Sequence, residues 1–140
     1  ILCHIADMTR FLNPTVQSYS RLGVCKAPKY ISWSNNNRSM LIRIPAASGE
    51  YRRMELRSPD CTANPYIAFA LLIWAGLDGL NNQIILPEKA NVNLYTAGPK
   101  DVWDMETLPL TLSAASKLAE GSEFIRKHLP ESLIEYYCRH

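Results

Sequence analysis

Two arginines flank one carboxylate in the segment Arg53-Met54-Glu55-Leu56-Arg57. Side chains alternate along an extended strand. Arg53, Glu55 and Arg57 would therefore share one face, while Met54 and Leu56 would anchor the other in a core. A surface strand gains little from such a stripe, because an exposed ion pair is worth roughly 0–1 kcal/mol. A site that handles phosphates, a metal and a carboxylate substrate needs it. A guanidinium grips phosphate or carboxylate through a planar fork. A carboxylate among phosphate-binding arginines is the ligand that a hard divalent cation requires. Six of the nine arginines, Arg21, Arg38, Arg43, Arg52, Arg53 and Arg57, fall between residues 21 and 57. Arg43 sits in the apolar run Leu41-Ile42-Arg43-Ile44-Pro45 and must find a partner, since an unpaired buried charge is too costly. On residue type and spacing alone the cluster reads as an anionic-ligand site, a structural salt-bridge network or an RNA surface. The RNA reading lacks the aromatic residues that would interleave the arginines and stack bases.

Local signals name the elements that must position these side chains. Asn13-Pro14 breaks a first helix. Residues 29–34 and 38–45 read as strands, with Asn35-Asn36-Asn37 as the turn between them. Arg38 and Arg43 then stand at the two ends of one strand at odd spacing and would project to opposite faces. Residues 46–50 form a loop before the arginine–glutamate strand. Pro65 to Leu77 is apolar all round and is expected to be a buried central helix, started by Asp60 or Thr62 and ended by Gly76 and Gly79. It is shorter than the roughly 20 residues that span a bilayer. Residues 81–110 read as a long irregular excursion. Helical periodicity returns at Thr111–Glu120 and Ser122–Leu129, with Gly121 between them and Pro130 opening a last helix.

Composition bounds the rest. The 140 residues, 47% hydrophobic and 20% charged, are those of a globular chain with a real core. A formal net charge of +2 is too small to indicate nucleic acid as a partner. Cys3, Cys25, Cys61 and Cys138 are scattered, without CxxC spacing or a dense disulfide framework, which favours reduced cytoplasmic thiols buried as small hydrophobes. The opening Ile1-Leu2-Cys3-His4 reads as the middle of a helix. It lacks the basic region of a signal peptide, and no membrane partner is expected. The chain is expected to be part of a longer protein.

Six ordered blocks carry a resemblance. They are Asn13-Pro14-Thr15-Val16-Gln17-Ser18-Tyr19-Ser20-Arg21-Leu22, Asn37-Arg38-Ser39, Ile42-Arg43-Ile44-Pro45, the run Arg53 to Asp60, Ala63-Asn64-Pro65-Tyr66 and Ala75-Gly76-Leu77-Asp78-Gly79. Asn93-Leu94-Tyr95 continues the series, and Leu108 to Tyr137 follows more loosely. Together they resemble the C-terminal part of the catalytic domain of glutamine synthetase. The resemblance implies an α+β fold, with an antiparallel curved sheet forming the site and helices packed outside it. It implies ATP-dependent condensation of glutamate with ammonia through a γ-glutamyl phosphate. By the same resemblance, Arg21 would contact glutamate. Arg38 would meet both the transferring phosphoryl group and glutamate, and would lie among the ATP contacts. Arg43 would bind ATP phosphates, and Arg53 would be a nucleotide contact. Glu55 would ligate Mg²⁺ or Mn²⁺, and Arg57 would bind the glutamyl carboxylate or the reacting phosphoryl group. Arg38 and Arg57 would thus be the catalytic pair.

Two positions depart from the family's pattern. The family usually carries a glutamate before Ala-Pro, on a flap that closes the site and helps take the proton from ammonium. Here the stretch is Leu22-Gly23-Val24-Cys25-Lys26-Ala27-Pro28, one residue shorter, with Lys26 at that place. A protonated lysine repels ammonium and cannot serve as its base unless its pKa is strongly lowered. The second departure is Gln17, where asparagine is usual. The resemblance further implies metal carboxylates and a histidine upstream, and a small N-terminal domain donated by a neighbour in a homo-oligomeric ring. His4, His128 and His140 fall outside the family's histidine motif and are expected to be packing or surface residues. One metal carboxylate does not make a multi-ion site, so residues 1–140 by themselves are expected to be inactive. Three parents remain in view: a glutamate–ammonia ligase, a ligase joining glutamate to another amine, and a catalytically silent relative.

Overall fold

The computed structural model describes residues 1–24 and 26–139; Cys25 and His140 lie outside the described residues. A 3-10 turn, Leu2–His4, leads into helix α1, Ile5–Leu12. Ile5, Met8, Phe11 and Leu12 repeat at helical spacing and are buried together. The helix ends at Asn13, before Pro14, as expected. Its buried Arg10 is fully engaged: it donates to the Pro14 carbonyl at 2.9 Å, to Ser116 Oγ at 3.1 Å and to the Tyr137 carbonyl. Helix α2, Val16–Ser20, starts with a capping box in which Thr15 and Ser18 exchange side-chain and backbone hydrogen bonds.

Three short strands follow: β1, Trp33–Asn35; β2, Ile42–Ile44; and β3, Glu55–Leu56. Their order is β1-β2-β3, with β1 and β2 parallel and β2 and β3 antiparallel. The sheet is therefore mixed, where an antiparallel one was expected. Parallel neighbours usually need a long crossover. Here β1 is only three residues, about 10 Å long, so residues 36–41 suffice to bring the chain back. Asn36 turns it in the left-handed region at φ 58. Asn37 Oδ1 then accepts from the backbone and hydroxyl of Ser39, at 3.0 and 2.7 Å.

Helix α3 runs Pro65–Asn81. Asn64 caps it by accepting from Tyr66 N at 3.0 Å, and Pro65 occupies its first turn. Asp60 and Thr62 instead close a tight turn before it. Gly76 and Gly79 lie inside the helix, which continues to a cap at Asn82. The expectation of all-round burial also fails. Only Ile67, Ala68, Leu71 and Ala75 are buried, while Phe69, Ile73, Trp74, Leu77 and Leu80 face solvent.

Between α3 and residue 111 the described backbone is irregular apart from a 3-10 turn at Pro99–Asp101, as expected. Helices α4, Leu112–Gly121, and α5, Glu123–His128, are capped by Thr111 and Ser122, and α6 spans Glu131–Arg139. The core is helical, with α1 packed against α3, α4, α5 and α6. No helix among the described residues is long and apolar enough to cross a membrane. Cys3 and Cys61 are exposed rather than buried, and Cys3, Cys61 and Cys138 are free thiols. His4 packs as expected, stacked on Phe124 with its Nε2 2.7 Å from Asp78 Oδ2. His128 stacks on Trp74.

The half-buried state of α3 sets a measurable contrast. Leu71→Ala, at a fully buried position, should lower unfolding free energy by about 2–5 kcal/mol in urea titrations of the 140-residue chain. Ile73→Ala, on the exposed face, should change it by about 0.5 kcal/mol or less.

Candidate active site

The register of β2 against β3 places Arg43 directly opposite Glu55. Facing side chains in a ladder lie on the same side of the sheet, so the guanidinium and carboxylate meet. Arg43 Nη1 donates to both Glu55 oxygens, at 3.1 and 2.9 Å. The partner that Arg43 requires in its apolar setting is thus Glu55. Arg53 Nη2 approaches the same carboxylate at 3.6 Å. The hydrogen bond from Arg43 holds the Glu55 carboxyl below the usual carboxylate range; burial opposes this, and the charges of Arg43, Arg53 and Arg57 add to it. Three guanidinium charges around one carboxylate leave a surplus of positive charge. That balance suits a polyanion better than a closed structural network, and it keeps Glu55 ionised for a hard cation.

The strand expected over residues 53–57 is shorter than its charge pattern. Continuing the register would set Arg53 opposite Pro45, which has no N–H to donate. The ladder therefore begins at Glu55, and Met54 lies exposed instead of anchoring a core. Leu56 does pack against the core. Beyond the strand, Arg57 N still donates to the Leu41 carbonyl at 2.9 Å.

The remaining arginines take different settings. Arg38 lies in the turn before β2 rather than in a strand, and it is exposed. Arg57 donates Nη1 to the carbonyls of Arg38 and Met40, and Nη2 to the Lys26 carbonyl at 3.2 Å. Arg21 sits apart from Glu55. It donates to Asn13 Oδ1 at 2.8 Å and to the Ser58 carbonyl, and its Nε is 3.3 Å from Asp60 Oδ2. Burial raises the Asp60 carboxyl, but hydrogen bonds from Thr62 and Ser18 and the charge of Arg21 outweigh it, and the net direction is down. Lys26 is exposed, in the loop before Ala27-Pro28. Asp60 as the partner of Arg21, and Tyr95 as a partner of the Lys26 and Arg38 backbone, were not legible as such. Asp60-Cys61-Thr62 reads as a turn or cap, and a tyrosine aimed at a carbonyl leaves no spacing signal.

Phosphate fits this site, because Arg53 is exposed beside the Arg43–Glu55 pair. A divalent cation fits it only through Glu55. No group of three or more His, Cys, Asp or Glu side chains comes together among the described residues. The other oxygens of a metal's shell must come from outside this set.

The family described as the glutamine synthetase catalytic domain matches residues 1–140. The chain belongs to the glutamine synthetase family. It is 44% identical to the glutamine synthetase of Methanosarcina mazei over 140 residues, covering 98% of this chain and 31% of that protein. Against the glutamine synthetase of Methanocaldococcus jannaschii the identity is 40%, with the same coverage. A Staphylococcus aureus glutamine synthetase is 42% identical over 132 residues, covering 92% of this chain and 30% of that protein. The chain thus spans about a third of the length of the curated relatives it matches. Among solved structures it resembles a GmaS/ADP complex, with a TM-score of 0.82 and 32% identity over 99% of this chain and 33% of that one. It also resembles ligand-free GmaS, with a TM-score of 0.83 and 33% identity over 99% of this chain and 31% of that one.

The Glu55 environment gives a titration with a defined sign. A carboxyl held low in the folded state stabilises the fold above its ordinary range, and that stability is lost as pH falls through the folded value. Carbon-13 NMR titration should find Glu55 ionising below an ordinary glutamate. In Arg43→Ala it should move upward, and the variant's stability should depend less on pH across that acid range.

Proposed function

We propose that the protein containing this chain is an ATP-dependent ligase that condenses glutamate with ammonia through a γ-glutamyl phosphate. The observation that carries the reading is Glu55 paired with Arg43 and approached by Arg53, in a chain of the glutamine synthetase family. Phosphoryl transfer depends mainly on positioning and on compensating charge that spreads over oxygens. Arg43, Arg53 and Arg38 would receive the nucleotide phosphates. GmaS forms an ADP complex, which supports a nucleotide here. Glu55 would supply one oxygen ligand to Mg²⁺ or Mn²⁺, and such an ion would help neutralise the phosphates. Arg21 would bind glutamate, and Arg38 and Arg57 would act at the reacting carboxylate and phosphoryl group. The full protein would work as a cytoplasmic homo-oligomeric ring.

Lys26 favours a second reading of the nucleophile. Its exposed side chain stands on the loop where an acidic group would otherwise attract ammonium. A neutral amine escapes the repulsion that Lys26 exerts on a cation. Carboxylate activation would be unchanged, and only the second half-reaction would differ. Residues 1–140 alone would be inactive, because a single carboxylate does not build the metal site.

The test follows phosphate release by the full-length protein with Mg²⁺, ATP and glutamate. Ammonia should stimulate release. Stimulation only by a larger amine would move the assignment to a γ-glutamyl–amine ligase, and no turnover with any nucleophile would defeat the ligase reading. Arg43→Ala should lower kcat/KM by on the order of 10²-fold, the loss that follows removal of one preorganised charge-stabilising donor.

A further inference from the structure

A guanidinium carries five N–H donors, one on Nε and two on each Nη. Those of Arg21 divide into a held side and an open one. Nη2 donates to Asn13 Oδ1 at 2.8 Å and to the Ser58 carbonyl, and Nε faces Asp60 Oδ2 at 3.3 Å. Among the described residues Nη1 makes no hydrogen bond, and it is not buried. Its two N–H groups are open to a ligand. The Arg21 side chain is 32% exposed and that of Asp60 only 12%. The arginine can therefore meet a ligand, and the enclosed aspartate acts through the arginine.

Asp60 is itself fixed from several sides. Its backbone N donates to the Leu12 carbonyl at 2.8 Å. Its Oδ1 accepts from Thr62 N and Thr62 Oγ1, each at 2.8 Å. Ser18, on α2, hydrogen-bonds the same carboxylate. Oδ1 is thus taken up by Thr62, and Oδ2 is left to the arginine. Asn13 and Ser58, which hold Nη2, are both buried. The guanidinium is therefore seated on the end of α1, the residue after the site strand and the turn before α3, with one end free.

A seat of this kind removes rotamer freedom from a long side chain before any ligand arrives, so less is lost on binding. Asp60 also cancels part of the arginine's charge, which by itself weakens the hold on an anion. Placement and charge oppose each other at this pair, and their effects on affinity have opposite signs. We infer that Asp60 is a positioning residue for a carboxylate substrate: it fixes the Arg21 guanidinium through Nε, so that the carboxylate is met end-on by Nη1 rather than by a two-nitrogen fork. That the carboxylate belongs to glutamate rests on the ligase reading; the seating of Arg21 does not.

The test uses the full-length protein and titrates glutamate and ADP separately by calorimetry. In Asp60→Asn the amide oxygen keeps the two Thr62 donors, and its NH₂ then turns toward Arg21 Nε, donor against donor. Glutamate affinity should fall on the order of tenfold, the effect of one lost contact to a charged group. ADP affinity should hold. Charge alone would make Asp60→Asn bind glutamate more tightly, and a tightened or unchanged affinity overturns the inference. So does an equal loss for ADP, which marks general damage. Should Asp60→Asn not fold, Thr62→Val, at an exposed position, decides the matter. Loss of one donor to Oδ1 should weaken glutamate roughly threefold, and an unchanged affinity overturns the positioning role. A protein that shows these shifts yet releases no phosphate with any nucleophile would lose the ligase reading and keep the role of Asp60. One that turns over with ammonia while Asp60→Asn binds glutamate normally would keep the ligase reading and lose that role. A wild type that binds no glutamate overturns both.

Discussion

The pairing of Arg43 with Glu55 across β2 and β3 organises the charged face. Strand register is a discrete choice, and a one-residue slip would send every side chain to the opposite face. With Arg43 opposite Glu55, Ile42 and Leu56 oppose each other as the next pair. One register thus points the charges together and seats Leu56 on the core. Burying a lone arginine at position 43 would carry the full desolvation cost of the charge. The carboxylate removes most of that cost, and Arg53 and Arg57 then make the site net positive around it.

A small sheet does not hold such a face in place unaided. The support comes from the helical core, in which α1 packs against α3, α4, α5 and α6. That core reaches the site through the chain that follows β3. Asp60 N donates to the Leu12 carbonyl at 2.8 Å, and Arg21 ties Asn13, Ser58 and Asp60 together. The end of α1, the end of α2 and the residues after the site strand therefore share one polar knot. Two polar groups of this knot, Asn13 Nδ2 and Ser58 Oγ, are buried without a hydrogen bond to protein. Atoms of this kind are ordinarily met by ordered water.

The exposed face of α3 records how burial depends on neighbours. Its mean composition is that of a fully buried helix, yet only one stripe meets the core. The apolar surface continues from Leu80 into Ile84, Ile85 and Leu86, and lines a groove of about 370 Å³ with Trp33, Ile44 and Met54. A contiguous apolar surface of this kind marks a place where something packs. The relatives are about three times as long as this chain, which accords with a helix built for more contacts than these residues supply.

Much was legible in the sequence, for physical reasons that are local. Proline and asparagine end α1, side-chain caps start α4 and α5, and 3.6-residue periodicity marks the last helices. Each follows from backbone chemistry within a few residues. The ordered blocks placed the chain in its family, and the apolar setting of Arg43 demanded a partner. Other features arise only when distant segments meet. The parallel pairing of β1 with β2 depends on how short both strands are. The loss of strand at Arg53 depends on Pro45 standing opposite. Arg57 meets carbonyls rather than a side chain, and carbonyls are the same in every residue, so no pattern announces them. Composition by itself determined that α3 is apolar all round. Only the tertiary structure decided which face is covered, because burial belongs to the neighbours a helix meets and not to the helix.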